Sequence, residues 1–426
     1  MTLARVLTTL VVLVLAATPV AGQEAAQVQA PEKGSCVTCH EILPDARLSD
    51  PTKAYVNDVH ASKGFGCVAC HGGDATSAGM GAMDPAKGYV GIPAREQQAQ
   101  LCGRCHSDAQ FIKQYNPALR VDQESEYLTS VHGQRLTREG DERVATCVSC
   151  HPAHSIRPPS DPLSSVHPLK VAQTCGACHG DAEYMASYGI PTDQQEKFER
   201  SIHWTMIEEE HDLSAPTCND CHGNHGAAPP GVSWVGNTCG QCHSVMADYF
   251  AQSLHARVFP MLGVPGCAAC HNNHEILLAG DELLGFGEGA ACTKCHQADT
   301  PSGEKIVAMR SLIDSLKLTA HQADSILLRA ENSGVEVSQA LFDLEGAQTA
   351  LVQAQAAVHA FVVDSVAEHV NAGLVITDEA FARGDRALGE LRFRRTGLAI
   401  SVAIILALIV GLMLRIREID RRTHTT

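Results

Sequence analysis

The sequence predicts a mainly α-helical protein with little regular β-structure: a turn-rich N-terminal part, then a long-helix hairpin or small bundle, then one transmembrane helix. Three observations predict this. A five-residue unit, C-x-x-C-H, recurs through the first three hundred residues. The stretch from Gly303 to Arg392 has no cysteine and carries apolar residues at helical spacing. Gly397–Leu414 (GLAISVAIILALIVGLML) is eighteen residues without a charge.

The recurring unit comes first. Residues 217–225 read TCNDCHGNH. A Cys₂His₂ zinc site spreads its ligands over two elements so that four side chains converge on one small ion. Cys218, Cys221 and His222 share one helical turn, which is too crowded for that geometry. The unit begins at Cys36, Cys67, Cys102, Cys147, Cys175, Cys218, Cys239, Cys267 and Cys292, and these nine copies use all 18 cysteines. Chance would place a histidine after a given Cys pair only about one time in twenty, so nine in nine with none left over excludes zinc ribbons and a disulfide framework. C-x-x-C-H is the attachment signature of a c-type haem. Cysteines at i and i+3 lie on one face of a turn and can form thioethers with both vinyl edges of one porphyrin. The next residue brings its imidazole under the iron. Nine covalently bound haem c groups are predicted. Their thioethers come from Cys36 and Cys39, Cys67 and Cys70, Cys102 and Cys105, Cys147 and Cys150, Cys175 and Cys178, Cys218 and Cys221, Cys239 and Cys242, Cys267 and Cys270, and Cys292 and Cys295. The proximal iron ligands are His40, His71, His106, His151, His179, His222, His243, His271 and His296.

Composition agrees. Aromatic content is 4 %, with two tryptophans, so porphyrins would supply much of the apolar core. The net charge of −16 excludes a basic nucleic-acid footprint and suits docking to basic patches on redox partners.

The elements follow in order. Residues 1–22 have one Arg, an apolar run and a small-residue exit near Ala21–Gly22, which reads as a secretory signal peptide. Haem is attached to c-type proteins outside the cytoplasm, so export and haem agree. Residues 23–300 form the haem-packed domain, and they repeat. Four segments share the pattern aromatic-x-x-Ser/Asp-aliphatic-His: YVNDVH ending at His60, YLTSVH at His132, FERSIH at His203 and FAQSLH at His255. A related SSVH ends at His167. Each patterned segment precedes one C-x-x-C-H motif and then a second, 21 to 35 residues later. Four di-haem units plus an entrance haem at Cys36–His40 result, and repeats imply stacking of like modules. Three more histidines follow a motif as C-x-x-C-H-x-x-H: His154, His225 and His274. With His211 in EEEHDL, these make nine candidate distal ligands for nine irons: His60, His132, His154, His167, His203, His211, His225, His255 and His274. A histidine three residues past its own motif shares a helical face with the proximal ligand, so it is expected to serve a neighbouring haem. The aromatic should pack on a porphyrin face. The Ser or Asp should cap a turn or hold the imidazole Nδ1.

Residues 301–396 read as a helical stalk. Ile306, Met309, Ile313, Leu316 and Ala320 keep one stripe, broken at Asn332-Ser333-Gly334. Val337, Leu341, Leu344, Leu351 and Val358 keep a second, and Asn371-Ala372-Gly373 suggests another break. Packing is the ordinary use of such stripes, so His321, His359 and His369 read as structural, one of them able to replace His211. Residues 397–414 form the span, with Arg392, Arg394 and Arg395 before it and Arg415, Arg417, Arg421 and Arg422 after. The exported haems place residues 415–426 in the cytoplasm.

An iron with histidine on both faces has no open site and can only change oxidation state. From Cys36 to His296 the chain resembles the membrane-anchored multihaem cytochrome c families, also labelled cytochrome c3 family. The resemblance rests on CHGGD at 70–74, the SVH, SIH and SLH elements, CHGNH and CHNNH, with RRTGL entering the span and RIREID leaving it. It implies electron exchange at the periplasmic side of the inner membrane. The partners implied are a membrane redox subunit of cytochrome b or iron–sulfur type, linked to quinone, and periplasmic electron carriers. An enzymatic alternative comes from pentahaem nitrite reductases and the octahaem hydroxylamine-oxidising or tetrathionate-reducing cytochromes, which work through an open haem. The C-x-x-C-K motif of the nitrite reductases occurs nowhere here. An open iron would fall at His40 or His296.

Overall fold

The computed structural model of the chain describes residues 34–229 and 235–423; the signal peptide expected over 1–22 lies outside the described residues. Among the described residues there is no strand, and up to residue 300 the helices are short. Two compact units form. One holds the first four motifs, in 34–125 and 132–167; the other holds the last five motifs and everything after them, with residues 126–131. The helical region beyond residue 300 therefore belongs to the same unit as the last five motifs.

Helices of four or five residues are unstable alone because nucleation is costly, so their ends are fixed locally. The motif helix Cys147–Cys150 opens with a capping box in which the Thr146 N–H donates to Ser149 Oγ at 3.0 Å. Cys218–His222 does the same, the Thr217 N–H donating to the Asp220 carboxylate at 2.8 Å. After the second motif the chain doubles back tightly. Gly72 and Gly73 take φ of 67° and 82°, and a Cβ on Gly72 would stand 2.0 Å from the Gly88 carbonyl. The side chain of Asp74 then accepts from Lys87 at 2.8 Å and closes the loop.

Three long helices follow: α1 (Pro301–Asn332), α2 (Ser338–Ala357) and α3 (Val363–Thr423). The α1 stripe forms their core, with Met309, Ile313 and Leu316 at most 1 % exposed. The helix ends where Asn332-Ser333-Gly334 stands, Gly334 taking φ of 82°. The break expected at Asn371-Ala372-Gly373 does not occur. A Cβ on Gly373 would lie 2.8 Å from Leu316 and 3.1 Å from Ala350, so this glycine allows close helix packing inside an unbroken α3. The break comes earlier, at Val358–Ala360, where Phe361 takes φ of 54°.

The bundle core also takes up motif-region residues. Leu284 joins Ile306, Leu316, Leu351 and Val370, and Tyr249, Phe286 and Cys292 pack against them. The Asp281 carboxylate accepts from Gln355 at 2.9 Å and pairs with Lys317. Burial pushes its pKa up, but the hydrogen bonds from Lys317 and Gln355 outweigh that and hold it below the usual carboxylate value. Beyond the bundle, α3 runs on through 397–414, with a mean hydropathy of 2.8 and nothing covering it. A buried core helix would be covered; this one is long and apolar enough to cross a membrane.

Candidate haem centres

Two imidazoles on opposite faces of one iron, each bound at about 2 Å through a ring nitrogen, have ring centres roughly 6 Å apart. Among the described residues, motif histidines face another histidine at that separation in six pairs. His106 faces His60 at 6.0 Å and His71 faces His154 at 5.9 Å. His243 faces His203 at 6.3 Å, His222 faces His274 at 5.9 Å and His296 faces His255 at 5.9 Å. His271 faces His359 at 6.1 Å. The angles between ring planes range from 7° to 86°, as rotation about each metal–nitrogen bond permits. A gap of this width between paired imidazoles fits a metalloporphyrin.

A ligating histidine usually donates its second N–H, which fixes the tautomer. The His71 Nδ1–H donates to the Gly91 carbonyl at 2.7 Å, leaving Nε2 free to bind iron. His40 and His222 make longer versions of this bond, to the Leu48 and Ala228 carbonyls at 3.3 Å. Burial, then the facing imidazole, lowers the pKa of His154, His203, His255, His271 and His274. The neutral form, which a metal requires, is thereby favoured.

The patterned segments position their histidines through the predicted Ser or Asp. Ser201 and Ser253 are the N-caps of the helices that carry His203 and His255, accepting from Trp204 and Ala256 at 3.2 Å. Asp58 does both predicted jobs: its carboxylate accepts from the backbone and the Nδ1 of His60, each at 2.9 Å. It also accepts from the Ile156 N–H at 2.8 Å and is 2 % exposed. Burial alone would raise this carboxyl, but the bonds from His60 and Ile156 hold it low. Two outcomes follow. The stability that Asp58 contributes is present above about pH 4 and is lost as pH falls through its depressed value. Asp58→Asn removes an anion that makes the His60 imidazole a stronger donor, so redox titration should show one haem shifted upward, by roughly 60 mV if that bias is worth about 1.4 kcal/mol. An unchanged set of potentials would detach Asp58 from any iron.

The aromatic of one patterned segment is placed among side chains next to an attachment cysteine. Phe198 packs into a protein cluster with Ala172, Ile207 and Trp204, and that cluster also touches Cys218. His255 is held by rings, 5.0 Å from Phe259 and 4.2 Å from Phe361.

Within each unit, several attachment sites adjacent in sequence are adjacent in space. The first cysteines of neighbouring motifs stand side by side, Cys36 by Cys67, Cys102 by Cys147, Cys175 by Cys218 and Cys239 by Cys267. None is a disulfide.

Other candidates stand as follows. His167 is 4 % exposed; His132 and His225 are half-buried, and the His225 ring lies 3.8 Å from Glu126. His154 and His274 are not carried on the helical face of their motifs. They lie beyond the helix ends and take φ of 68° and 52°, which turns each ring away. His211 sits exposed past the end of helix Ile202–Glu208 with φ of 56°, and no motif histidine faces it. A motif ring, that of His271, is instead faced by His359, one of the bundle histidines expected to be structural or able to replace His211. Of the other two bundle histidines, His321 is exposed and His369 Nε2 shares a hydrogen bond with the Tyr249 hydroxyl at 3.2 Å.

Repeated attachment sites and facing imidazoles are the marks of a multihaem c-type cytochrome, and the chain is one. The family model "Cytochrome c7 and related cytochrome c" matches residues 20–107. The C-type polyheme cytochrome OmcB of Geobacter sulfurreducens is 24 % identical over 248 residues, covering 54 % of this chain and 27 % of that protein. OmcC of the same species is 25 % identical over 213 residues, covering 44 % of this chain and 26 % of that protein. The chain thus spans about a quarter of the length of these curated relatives. No solved structure matches it.

Proposed function

We propose that the chain is a membrane-anchored nonahaem cytochrome on the periplasmic side of the inner membrane. There it relays electrons between a quinone-linked membrane redox complex and periplasmic carriers. The observation that carries this reading is the run of facing imidazoles at neighbouring attachment sites. When bound, each haem supplies a one-electron couple. The protein's part is to occupy both axial positions, which denies small substrates a coordination site. His71, His222 and His60 are fixed by Nδ1 bonds, so little reorganisation is needed when charge changes. The acidic surface suits docking to basic partners. Anchoring is supported by 397–414, about 27 Å of uncovered apolar helix between arginine clusters.

Intact mass should give nine haems, and low-temperature EPR of the oxidised protein should give low-spin iron alone. A high-spin signal that shifts with nitrite or hydroxylamine would overturn the relay in favour of an enzyme. Arginine at both Ile404 and Ile405 adds about 3 kcal/mol each to the insertion cost and should move the protein from the membrane to the soluble fraction. Retention of that variant in washed membranes would reject the anchor. Copurification from detergent identifies the redox subunit.

A further inference from the structure

We propose that His359, on the corner between α2 and α3, is the distal ligand of the haem attached at Cys267 and Cys270, so that the helical bundle is the end cap of the haem array. The inference deepens the reading above and rests on it.

The described pairs obey a rule. Histidines of the patterned segments face the second motif of their own repeat: His60 faces His106, His203 faces His243 and His255 faces His296. First-motif histidines face the H-x-x-H histidine of the following repeat: His71 faces His154 and His222 faces His274. Such an array leaves its two ends unequal. The first repeat has no predecessor to serve, and its H-x-x-H position holds Asp74. The last repeat has no successor, so His271 would lack a partner. His359 stands there, its ring 6.1 Å from that of His271 and inclined by 19°.

Two further observations put His359 in the role of the missing residue. Its Nδ1–H donates to the Ala356 carbonyl at 2.9 Å, the same arrangement that leaves Nε2 of His71 free for iron. The residue two places on also approaches the last patterned segment, through a ring contact where the other repeats use a backbone bond. In three repeats the aliphatic residue of the patterned segment donates its N–H to the carbonyl two residues past an H-x-x-H histidine. Val59 donates to Ile156, Val131 to Ala227 and Ile202 to Ile276, at 2.8 to 3.1 Å. Two residues past His359 is Phe361, and its ring lies 4.2 Å from His255 of the last patterned segment. A short turn between two helices thus stands where a fifth repeat would. Stacked repeat arrays commonly need such an atypical terminal element.

The test uses the full-length holoprotein. His359→Ala should convert one centre from low to high spin in EPR without changing the haem mass, and added imidazole should restore the low-spin signal. His211→Ala and His369→Ala should leave the parent spectrum unchanged. His359→Met, which keeps a ligand, should stay low-spin and raise one midpoint potential, guarding against a folding defect in the alanine variant. A His359→Ala spectrum identical to the parent, or a new high-spin centre in His211→Ala, would overturn the assignment. The parent spectrum tests the relay separately: high-spin iron there defeats the general reading, whereas only the variants bear on His359.

Discussion

Replacing Cys218 and Cys221 together with serine should produce a protein lighter by one haem and markedly less stable in the unit that contains it. The stability effect follows from where apolar side chains are buried. Among the described residues up to 300, buried hydrophobics are sparse and scattered, such as Ala82, Ile112, Leu136 and Met185, whereas those from Ile306 to Ala380 form continuous clusters. A region so poor in core residues depends on the porphyrins for its interior. Cys218 packs against the cluster of Ala172, Phe198 and Ile207, so losing its haem empties space beside one of the few protein clusters there. Emptying a Phe-sized site costs about 3–5 kcal/mol, and a porphyrin is larger. The melting transition of that unit should fall by roughly 10 °C. Mass spectrometry and calorimetry read both effects; a full haem complement in the double variant would mean that these cysteines form no thioethers.

His203→Ala should do the opposite: keep every haem and open one iron. His203 faces His243 at 6.3 Å, so the centre that changes is the one attached at Cys239 and Cys242. Low-temperature EPR should gain a single high-spin component, and cyanide or imidazole should abolish it. Loss of the axial nitrogen also raises that centre's potential, because histidine donation favours the oxidised iron. The Ser201 cap is untouched, so the helix Ile202–Glu208 persists and a folding defect would not mimic the result. An unaltered spectrum would reject His203 as a ligand; a changed signal with lost haem mass would mean the residue acts in assembly instead.

Much of this is legible in the amino-acid sequence. Nine tight Cys–Cys–His units require only short turns, which local chemistry supplies: Thr146 and Thr217 sit immediately before their motifs and cap them. The Ser and Asp of the patterned segments lie two residues before histidine, within reach of the backbone they cap. The apolar stripes of α1 and α2 have the helical period, and Met309, Ile313 and Leu351 are buried accordingly. Local signals misled where a residue's role is set by what approaches it. Gly373 looks like a breaker in sequence, yet in α3 it is the point where Leu316 and Ala350 come closest. Which histidine completes the count was left open by the sequence: His211 stands exposed, and His359, one of the three bundle histidines able to replace it, meets His271.

The amino-acid sequence by itself determined the chemistry each module can hold, its helical character and the uncovered apolar run, because bond-forming spacing and helical period are local properties of the chain. Only the tertiary structure decided which imidazole faces which, the meeting of His271 with His359 of the bundle among them. Those facing pairs join residues distant along the chain, and their geometry depends on how repeats and helices pack rather than on any spacing within them.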